Sequence, residues 1–426
     1  MHSKNESSVS VNMETFRFGA PNYSHILNIL FVVYALLLPF SNAFSTDTGP
    51  YLLLFFWIME GDFGRKLAKI RSEKVVWFLL IFFFINLLSM LWTTDIKEGI
   101  YILKFYFAIT VVFVTFYTSM KERYLLPIIF AFLIAMFISE IVSYGVFLEW
   151  WTTKHSSPSM PTPFMHHVPY SIFLVVTIFL LIGQILNRRI SLPLRIFEAI
   201  FLLSATANLF INGGRTGQLA FIFGLFVFVW SYFGTKFKYL FITVFVLASL
   251  FFAAYRFSPI FQNRVHQAVS DIQKIQNNNL NSSWGSRIAM KIVSFDILKE
   301  HPFIGVGVGD TRNAYREALE HPEFKKYTFT KNVHHVHDQY LQIALQAGLL
   351  GLIPFILFIY LLFTAKYKNL LSKSTLFAVL TVFIFSFSAD VPLGNYLSGL
   401  FAFVTAFLLL RSQEDIFGIN NREISA

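Results

Sequence analysis

The side chains best suited to chemistry in this sequence collect in one polar segment, residues 257–336, and in the stretch that ends it. That stretch reads His-His-Val-His-Asp over residues 334–338 and continues directly into an apolar run. The dipole of a helix disfavours the protonated form of a histidine at its entrance, so we expect His337 to be neutral near neutral pH. A neutral imidazole can accept a proton, and His337 is therefore the candidate general base.

Arginines in and near the same segment predict a binding site for an anion. Arg215 lies in the stretch Asn-Gly-Gly-Arg-Thr-Gly between two apolar runs, and Arg264 and Arg287 lie within the polar segment. Guanidinium groups bind pyrophosphate oxygens in a two-pronged manner. Asp390, at the end of a later apolar run, is available to orient a histidine or to pair with an arginine. The structural alternatives are an exposed loop arginine and a histidine that only caps a helix.

Two other kinds of site compete with this interpretation. His334, His337 and Asp338 can converge on one turn as metal ligands, but no paired carboxylates of the Asp-x-Asp kind accompany them on a neighbouring loop, and a metal-independent site is favoured. The glycine-rich stretch from Gly305 to Asp310 resembles a phosphate-binding loop but lacks the GxxxxGK[ST] pattern and a surrounding βαβ unit. We interpret it as a turn between helices whose backbone can approach a ligand closely.

The composition indicates which elements must position these residues. The chain has 426 residues, of which 55% are apolar and 14% charged, and its mean hydropathy is +0.59. Apolar runs of about eighteen residues or more recur along it, as in helical membrane proteins. The net charge of +10 comes from short basic clusters between these runs, which argues against nucleic-acid binding. The absence of cysteine excludes disulfides, iron–sulfur clusters and thiolate zinc sites.

We predict an all-α polytopic membrane protein with about 12 transmembrane helices, from run length and hydropathy. The second predicted span is short for a full crossing. The predicted spans are 23–44, 49–60, 75–92, 98–119, 124–148, 169–187, 193–212, 217–234, 238–256, 338–364, 374–391 and 396–411.

The distribution of basic residues predicts the orientation. Loops on one side contain most of them, whereas the short loops on the other side contain only Lys97, Lys154 and Arg215. The basic side is expected to be cytoplasmic, with both termini there. Its residues include Arg65, Lys66, Lys69, Arg71, Lys74, Lys121, Arg123, Arg188, Arg189, Arg195, Lys236, Lys238, Lys366, Lys368 and Lys373.

This orientation predicts three domains, and in the inner membrane of a Gram-negative cell the outer side is the periplasm. Residues 1–256 form spans 1–9, residues 257–336 form a large helical periplasmic loop between spans 9 and 10, and residues 337–426 form spans 10–12 and a cytoplasmic tail. The active site is expected to face the periplasm.

Helical periodicity and capping residues predict the helices of this loop. One helix has an apolar face from Phe261 to Ile272. A second begins at the capping candidate Ser286 and presents Ile288, Ile292 and Phe295, and Asp310 caps a third helix. We expect these apolar faces to turn toward the spans.

Two charges within the predicted spans require partners. Lys104 and Glu140 are expected at a similar depth, so we favour an ion pair between them. In the alternative, Lys104 faces a lateral cavity and supports the binding of a phosphate.

The order of these motifs resembles that of the O-antigen ligase and polymerase superfamily. The resemblance comprises Arg215-Thr216-Gly217 at a span start, Ser286-Arg287 and the stretch His-Pro-Phe-Ile-Gly-Val-Gly in a large outer loop, and then His-Asp-Gln-Tyr-Leu from residue 337. It covers the body of the chain. The individual motifs are short, and specificity comes from their order and membrane placement.

The resemblance implies transfer of a glycan from an undecaprenyl-pyrophosphate-linked donor to a sugar hydroxyl of lipid A–core, without metal, nucleotide or other cofactor. It implies that His337 is the base, that Arg215 and Arg287 bind the pyrophosphate, and that Asp390 is a supporting acid. Arg264 is a further cation by its position alone. The family more often has His-Asn where this chain has His337-Asp338. An acid there raises the histidine pKa or restores the metal alternative.

The mechanism expected from the resemblance is an inverting transfer. His337 takes the proton of the acceptor hydroxyl while arginines hold the departing pyrophosphate, and both amphiphilic substrates enter sideways between spans. Within the superfamily, an O-antigen polymerase and a protein O-oligosaccharyltransferase remain alternatives. A transporter of lipid-linked glycan is the alternative from another class, but it needs polar groups near the membrane midplane.

Overall fold

A computed structural model describes residues 22–153, 156–187 and 190–413. Throughout this part of the chain the regular structure is helical, with no β-strand. The helices are α1 (Tyr23–Leu37), α2 (Gly49–Glu60), α3 (Phe63–Ser72), α4 (Lys74–Leu88), α5 (Ile96–Ser119), α6 (Leu125–Phe147), α7 (His167–Ile185), α8 (Leu192–Ile211), α9 (Arg215–Phe233), α10 (Phe237–Phe257), α11 (Pro259–Gln276), α12 (Ser283–Glu300), α13 (Thr311–Ala318), α14 (Gln339–Thr364), α15 (Leu370–Ala389) and α16 (Leu397–Gln413).

Nine helical stretches in the described residues are long and apolar enough to cross a membrane, which makes this a multi-pass membrane protein. They correspond to α4–α10, α14 and α15, with short 3₁₀ turns extending α4 and α6. Helices α1, α2 and α16 are shorter, at 15, 12 and 17 residues, where three further spans were predicted. The all-α class is confirmed, and the count of about 12 spans remains a prediction. Lys154, Arg188, Arg189 and the predicted cytoplasmic tail after residue 413 lie outside the described residues.

The helices form a bundle, and among the nine candidate spans α7 is the most enclosed and α10 the most peripheral. The apolar window of α7 is 83% buried, whereas that of α10 is 11% buried. Helix α15 packs against α9, α16 against α5, and α14 against α4. The exposed aromatic side chains of α10, such as Phe245 and Phe252, suit a lipid-facing position.

The polar segment packs against one end of this bundle, which we call the loop-side end. Its contacts include Ser258 Oγ donating to the carbonyl of Phe210 at the end of α8 (3.2 Å) and Lys291 Nζ donating to the carbonyl of Ser388 at the end of α15 (3.3 Å). The segment has a small apolar core of its own, to which the first turns of α14 contribute Leu341 and Leu345.

The caps of the loop helices differ from the predicted ones. Ser282, not Ser286, caps α12 by accepting from the Gly285 N–H at 3.1 Å. The side chain of Asp310 makes no capping bond to α13. Its carboxylate instead accepts from the Thr94 and Asp95 N–H groups at 2.6 and 2.9 Å, because the backbone just before α5 lies directly beside it.

The predicted apolar faces of the loop helices are largely exposed. Ile292 and Phe295 are 41% and 56% exposed, whereas Met290 and Val293 are buried. The reason is that the loop's own core, not the bundle, covers α12, and this core meets the adjacent face of the helix. On α11 only Phe261 of the predicted face is buried, while Ile272 is 44% exposed.

The glycine-rich stretch before α13 is a turn, as predicted, but its glycines approach backbone. Helix α14 is interrupted at Gly348, where φ is +61°. At this break the carbonyls of Leu345 and Gln346 accept from the N–H groups of Val306 and Gly307 at 2.7 and 3.1 Å. A Cβ on Gly305 would lie 2.4 Å from the Leu345 carbonyl oxygen, so only glycine fits there. These glycines therefore pack against the backbone of α14. They do not form the close approach to a ligand that we expected.

The favoured ion pair between Lys104 and Glu140 is wrong. Lys104 Nζ lies 3.1 Å from Asp47 Oδ1, and Glu140 accepts a hydrogen bond from Ser204 Oγ at 2.6 Å. The π-helical turn Phe44–Thr48 places Asp47 beside α5, and α8 places Ser204 beside α6. Each charge thus has a separate partner. The supporting role of Lys104 remains a prediction. Its partner Asp47 was not predicted to belong to the site.

Candidate functional site

The structure brings His337 and Asp390 together, although 53 residues separate them in the chain. His337 Nδ1 lies 3.2 Å from Asp390 Oδ1. His337 has a left-handed backbone with φ of +49°, a conformation that histidine adopts more readily than most residues. His337 lies two residues before α14, whose N-cap is Asp338, and Asp390 immediately follows α15. When Nδ1 donates to the carboxylate, Nε2 is left as the nitrogen that can accept a proton.

Asp390 is also close to a second histidine. His335 Nε2 lies 3.9 Å from the same Asp390 oxygen, and the rings of His335 and His337 are 4.3 Å apart. Burial opposes ionisation of Asp390, but the hydrogen bond from His337 and the charges of both histidines lower its pKa to about 2. Burial, together with repulsion from His337, lowers the pKa of His335 to about 4. Near neutral pH the cluster therefore holds an ionised Asp390 and a neutral His335.

Asp338 faces away from His337. One of its carboxylate oxygens lies 2.7 Å from Lys291 Nζ, and the other accepts from the Leu341 N–H at 3.0 Å, which caps α14. Both oxygens thus have partners, and neither partner is a histidine. The acid that replaces the family's more common Asn is accommodated by Lys291, a residue that the sequence did not single out.

The structure does not bring together the alternative metal-ligand set of His334, His337 and Asp338. Among the described residues, the group whose possible ligand atoms converge is His335, His337 and Asp390, all within 4.8 Å of one another. His334 is exposed, and Asp338 binds Lys291. Two imidazoles and a carboxylate form a donor set that suits several divalent ions, so the metal alternative moves to these residues.

Arg215 and Arg264 meet at the start of α9. Arg215 Nη2 donates to Gln267 Oε1 at 2.5 Å, and Arg264 Nη1 donates to the same oxygen at 3.0 Å. Arg215 Nη1 also lies 3.6 Å from Asp271 Oδ2. Because α11 carries Gln267, Asp271 and Arg264 on one face, it fixes both guanidinium groups beside the end of the bundle.

Arg287 on α12 completes this group of cations. It is close enough to interact electrostatically with both Arg215 and His335. In the described part of the chain its guanidinium forms no hydrogen bond or ion pair, and the buried Nε of Arg215 also has no partner there. The predicted arginines thus lie beside the histidine cluster, with donor capacity to spare for an anion.

A second histidine pair, His166 and His167, was not predicted. Their rings are 3.9 Å apart at the start of α7, and both interact electrostatically with Asp390. Burial is the main cause that lowers the pKa of His166. A Cβ on Gly217 would lie 2.4 Å from Ser171, so α9 approaches α7 closely and sets the arginines beside this pair. The available sequence signal was two adjacent histidines just before an apolar run.

Two cavities adjoin the cluster. A polar cavity of about 370 Å³ has His334 and His335 on one wall. A largely apolar groove of about 510 Å³ runs between α12 and α14, with Lys291 and Asp338 at its polar edge. Its apolar lining includes Phe295, Tyr340 and Leu349. Together, the histidines can accept a proton, the arginines can bind an anion, and the groove can hold an apolar chain.

Comparison with known proteins gives an independent indication of the family. Residues 199–356 match the family model described as O-Antigen ligase. This range includes Arg215, Arg264, Arg287 and His337, while Asp390 and the pair before α7 lie outside it.

One curated relative is an uncharacterized protein of Haemophilus influenzae. It is 30% identical over 168 residues, which are 38% of this chain and 41% of the relative. The match thus spans about two fifths of that protein's length. The family match over residues 199–356 supports the resemblance drawn from the motifs: this part of the chain is similar to the O-antigen ligase family.

Proposed function

We propose that this protein is an O-antigen ligase that moves a glycan from an undecaprenyl-pyrophosphate-linked donor to a sugar hydroxyl of lipid A–core. The observation that carries the proposal is the contact between His337 and Asp390 beside three arginines. The donor's pyrophosphate is a good leaving group. The protein therefore has to position the acceptor, remove one proton and stabilise the departing anion.

His337 and Asp390 supply the base. The acceptor oxygen attacks the anomeric carbon while its proton passes to His337 Nε2. Asp390 holds Nδ1 and stabilises the imidazolium that forms, as an orienting carboxylate does in other catalytic groups. The bond between the anomeric carbon and the phosphate oxygen breaks, and its electron pair leaves with undecaprenyl pyrophosphate. Attack from the face opposite the leaving group inverts the anomeric configuration.

Arg215, Arg264 and Arg287 hold the pyrophosphate. Gln267 fixes two of these guanidinium groups, and the unpaired N–H groups of Arg215 and Arg287 can donate to phosphate oxygens. In this proposal no divalent ion is needed, because arginines neutralise the charge that develops on the leaving group. The apolar groove between α12 and α14 offers a lateral place for a lipid chain next to the cluster.

The location belongs to the same proposal. Basic residues such as Lys121, Arg123 and Lys373 lie at the end of the bundle opposite the loop, which supports a periplasmic loop-side end in the inner membrane. We retain the division into spans (1–256), periplasmic loop (257–336) and final spans (337–426). The small apolar core of the loop supports this division into domains, although that core extends into α14.

The lipopolysaccharide of a deletion strain tests the proposed reaction. A ligase mutant should accumulate carrier-linked polymer and bare core, and the wild-type gene should restore the polymer on core. If the mutant instead caps core with single repeat units, the protein is a polymerase. Unchanged lipopolysaccharide with a loss of protein-linked glycan would indicate a protein O-oligosaccharyltransferase. A transporter would leave the carrier-linked glycan on the cytoplasmic side.

A further inference from the structure

The polar cavity of about 370 Å³ has a lining that the proposed base and arginines do not explain. It lies between the start of α5, the start of α13, the first turns of α14 and the short 3₁₀ turn Pro392–Gly394. His335 joins the cavity to Asp390 and His337. The remaining lining residues are Glu98, Tyr101, Ile102, Phe105, Tyr106, Thr311, His334, Gln342, Gln346, Val391, Leu393, Gly394 and Asn395.

One wall of the cavity is held rigid by its own hydrogen bonds. Tyr106 donates to Gln346 Oε1 at 2.6 Å, and Gln342 Nε2 donates to Thr311 Oγ1 at 3.1 Å. Glu98 differs from these lining residues in its hydrogen bonding. Its carboxylate forms no hydrogen bond or ion pair with any residue in the described ranges, and it lines the cavity beside the half-exposed ring of Tyr101.

This lining suits an oligosaccharide. A sugar presents several hydroxyl groups at its edge and apolar C–H faces, so a matching site needs acceptors, donors and aromatic surface together. Glu98 supplies two acceptor oxygens, amide groups supply donors and acceptors, and Tyr101 supplies a ring face. The cavity also lies within the usual size range of small-molecule sites, about 300–1,000 Å³.

The position of the cavity relative to the arginines distinguishes acceptor from donor. The arginines come from α9, α11 and α12, whereas the cavity is lined by α5, α13 and α14. None of the three arginines lines the cavity. The histidines and Asp390 connect the two groups. In an inverting transfer, the acceptor attacks from the side opposite the pyrophosphate, so the side without arginines is the one that the acceptor occupies.

We propose that this cavity binds the acceptor sugar, with Glu98 accepting hydrogen bonds from its hydroxyls and Tyr101 packing on its face. The inference rests on the proposed transfer reaction and adds the acceptor site to it. The sugar hydroxyls are then the hydrogen-bond partners of the Glu98 carboxylate. This explains why Glu98 has no partner among the described residues.

The test is equilibrium binding of core oligosaccharide to the purified full-length protein. The probe is released by mild acid from lipid A–core of the same bacterium. Hydrogen bonds to charged groups are worth enough that Glu98→Ala should weaken binding about tenfold or more. Tyr101→Ala should weaken it by a similar factor. Lys97→Ala, an exposed neighbour that does not line the cavity, should leave binding within about twofold, as expected for surface substitutions.

Further controls separate the possible outcomes. Glu98→Gln keeps the size of the side chain and should bind more weakly than wild type while melting at the same temperature. Absence of binding by wild type, or equal binding by wild type and the Glu98 and Tyr101 variants, would overturn the inference. Because binding is measured and not turnover, the proposed chemistry can fail independently, through an active His337→Ala variant.

Discussion

The two ends of the bundle both concentrate charge, but they arrange it differently. At the end opposite the loop, the fully buried Lys66 lies 2.9 Å from Glu60, which also accepts from Ser119 at 2.5 Å. Arg65 pairs with Asp62 at 2.6 Å and donates to the carbonyl of Thr118 at 2.8 Å. Within this network each cation has a carboxylate partner, and the network joins α2, α3 and α5.

At the loop-side end, cations and histidines outnumber carboxylates. Arg215, Arg264 and Arg287 share the neighbourhood of two histidine pairs, and the nearby acids are Asp271, Asp338 and Asp390. Keeping like charges together costs free energy unless an anion joins them. The difference indicates that the opposite end stabilises the fold, whereas the loop-side end is prepared for an anionic ligand.

The largest effect should follow from removing the base at the loop-side end. His337→Ala should lower transfer by about 10²–10⁴, the usual contribution of a positioned general base. Transfer is measured in membranes with equal amounts of each variant. His321→Ala, which changes an exposed loop histidine that lines neither of the two cavities beside the cluster, is the matched control and should keep near-normal transfer. Equal losses in the two variants would remove His337 from the mechanism.

At the opposite end, the comparison predicts loss of stability and not of chemistry. Lys66→Ala removes the closer of two cations beside the buried Glu60 and leaves Arg65 at 4.0 Å; breaking a buried ion pair typically costs about 3–5 kcal/mol. The melting temperature in detergent should fall, while transfer per folded molecule stays normal. Glu60→Gln in the same chain should recover part of the loss, because the uncompensated carboxylate is then removed. A Lys66→Ala protein that melts like wild type would show that this network does not hold the helices.

A smaller effect is expected from removing one arginine of the group. Arg287→Ala should lower kcat/KM for the donor by about 10- to 100-fold, corresponding to one charge-assisted hydrogen bond. Arg256→Ala, at the exposed end of α10, tests whether any nearby positive charge matters. If Arg256→Ala weakens donor use as much as Arg287→Ala does, the effect is general electrostatic attraction and not binding at the site.

The smallest effects are expected for the charges between the two ends. Lys104 pairs with the partly exposed Asp47, and such pairs contribute about 0–1 kcal/mol. Because Glu140 has its own partner Ser204, the effects of Lys104→Ala and Glu140→Ala on melting should add in the double variant. Strong non-additivity would restore the direct pairing that the sequence favoured.

Local features were predictable from the sequence, and distant partners were not. Apolar runs identified the spans, and the placement of His337 at a helix entrance and of arginines near it followed from local pattern. The choice between Lys291 and His337 as the partner of Asp338 depends on how α12 packs against α14, which periodicity does not reveal. The same reason explains why Glu140 was assigned to Lys104 and why His166 and His167 were missed.

In this account, the loop-side cluster transfers a glycan with His337, Asp390 and the arginines and without a metal ion. Purified protein in liposomes, supplied with carrier-linked glycan, lipid A–core and excess chelator, tests it most directly. We predict that the glycan appears on core, that undecaprenyl pyrophosphate is released in equal amount, and that the chelator does not change the rate. Transfer that stops in the chelator and returns with one divalent ion would contradict the claim and support a metal site at His335, His337 and Asp390.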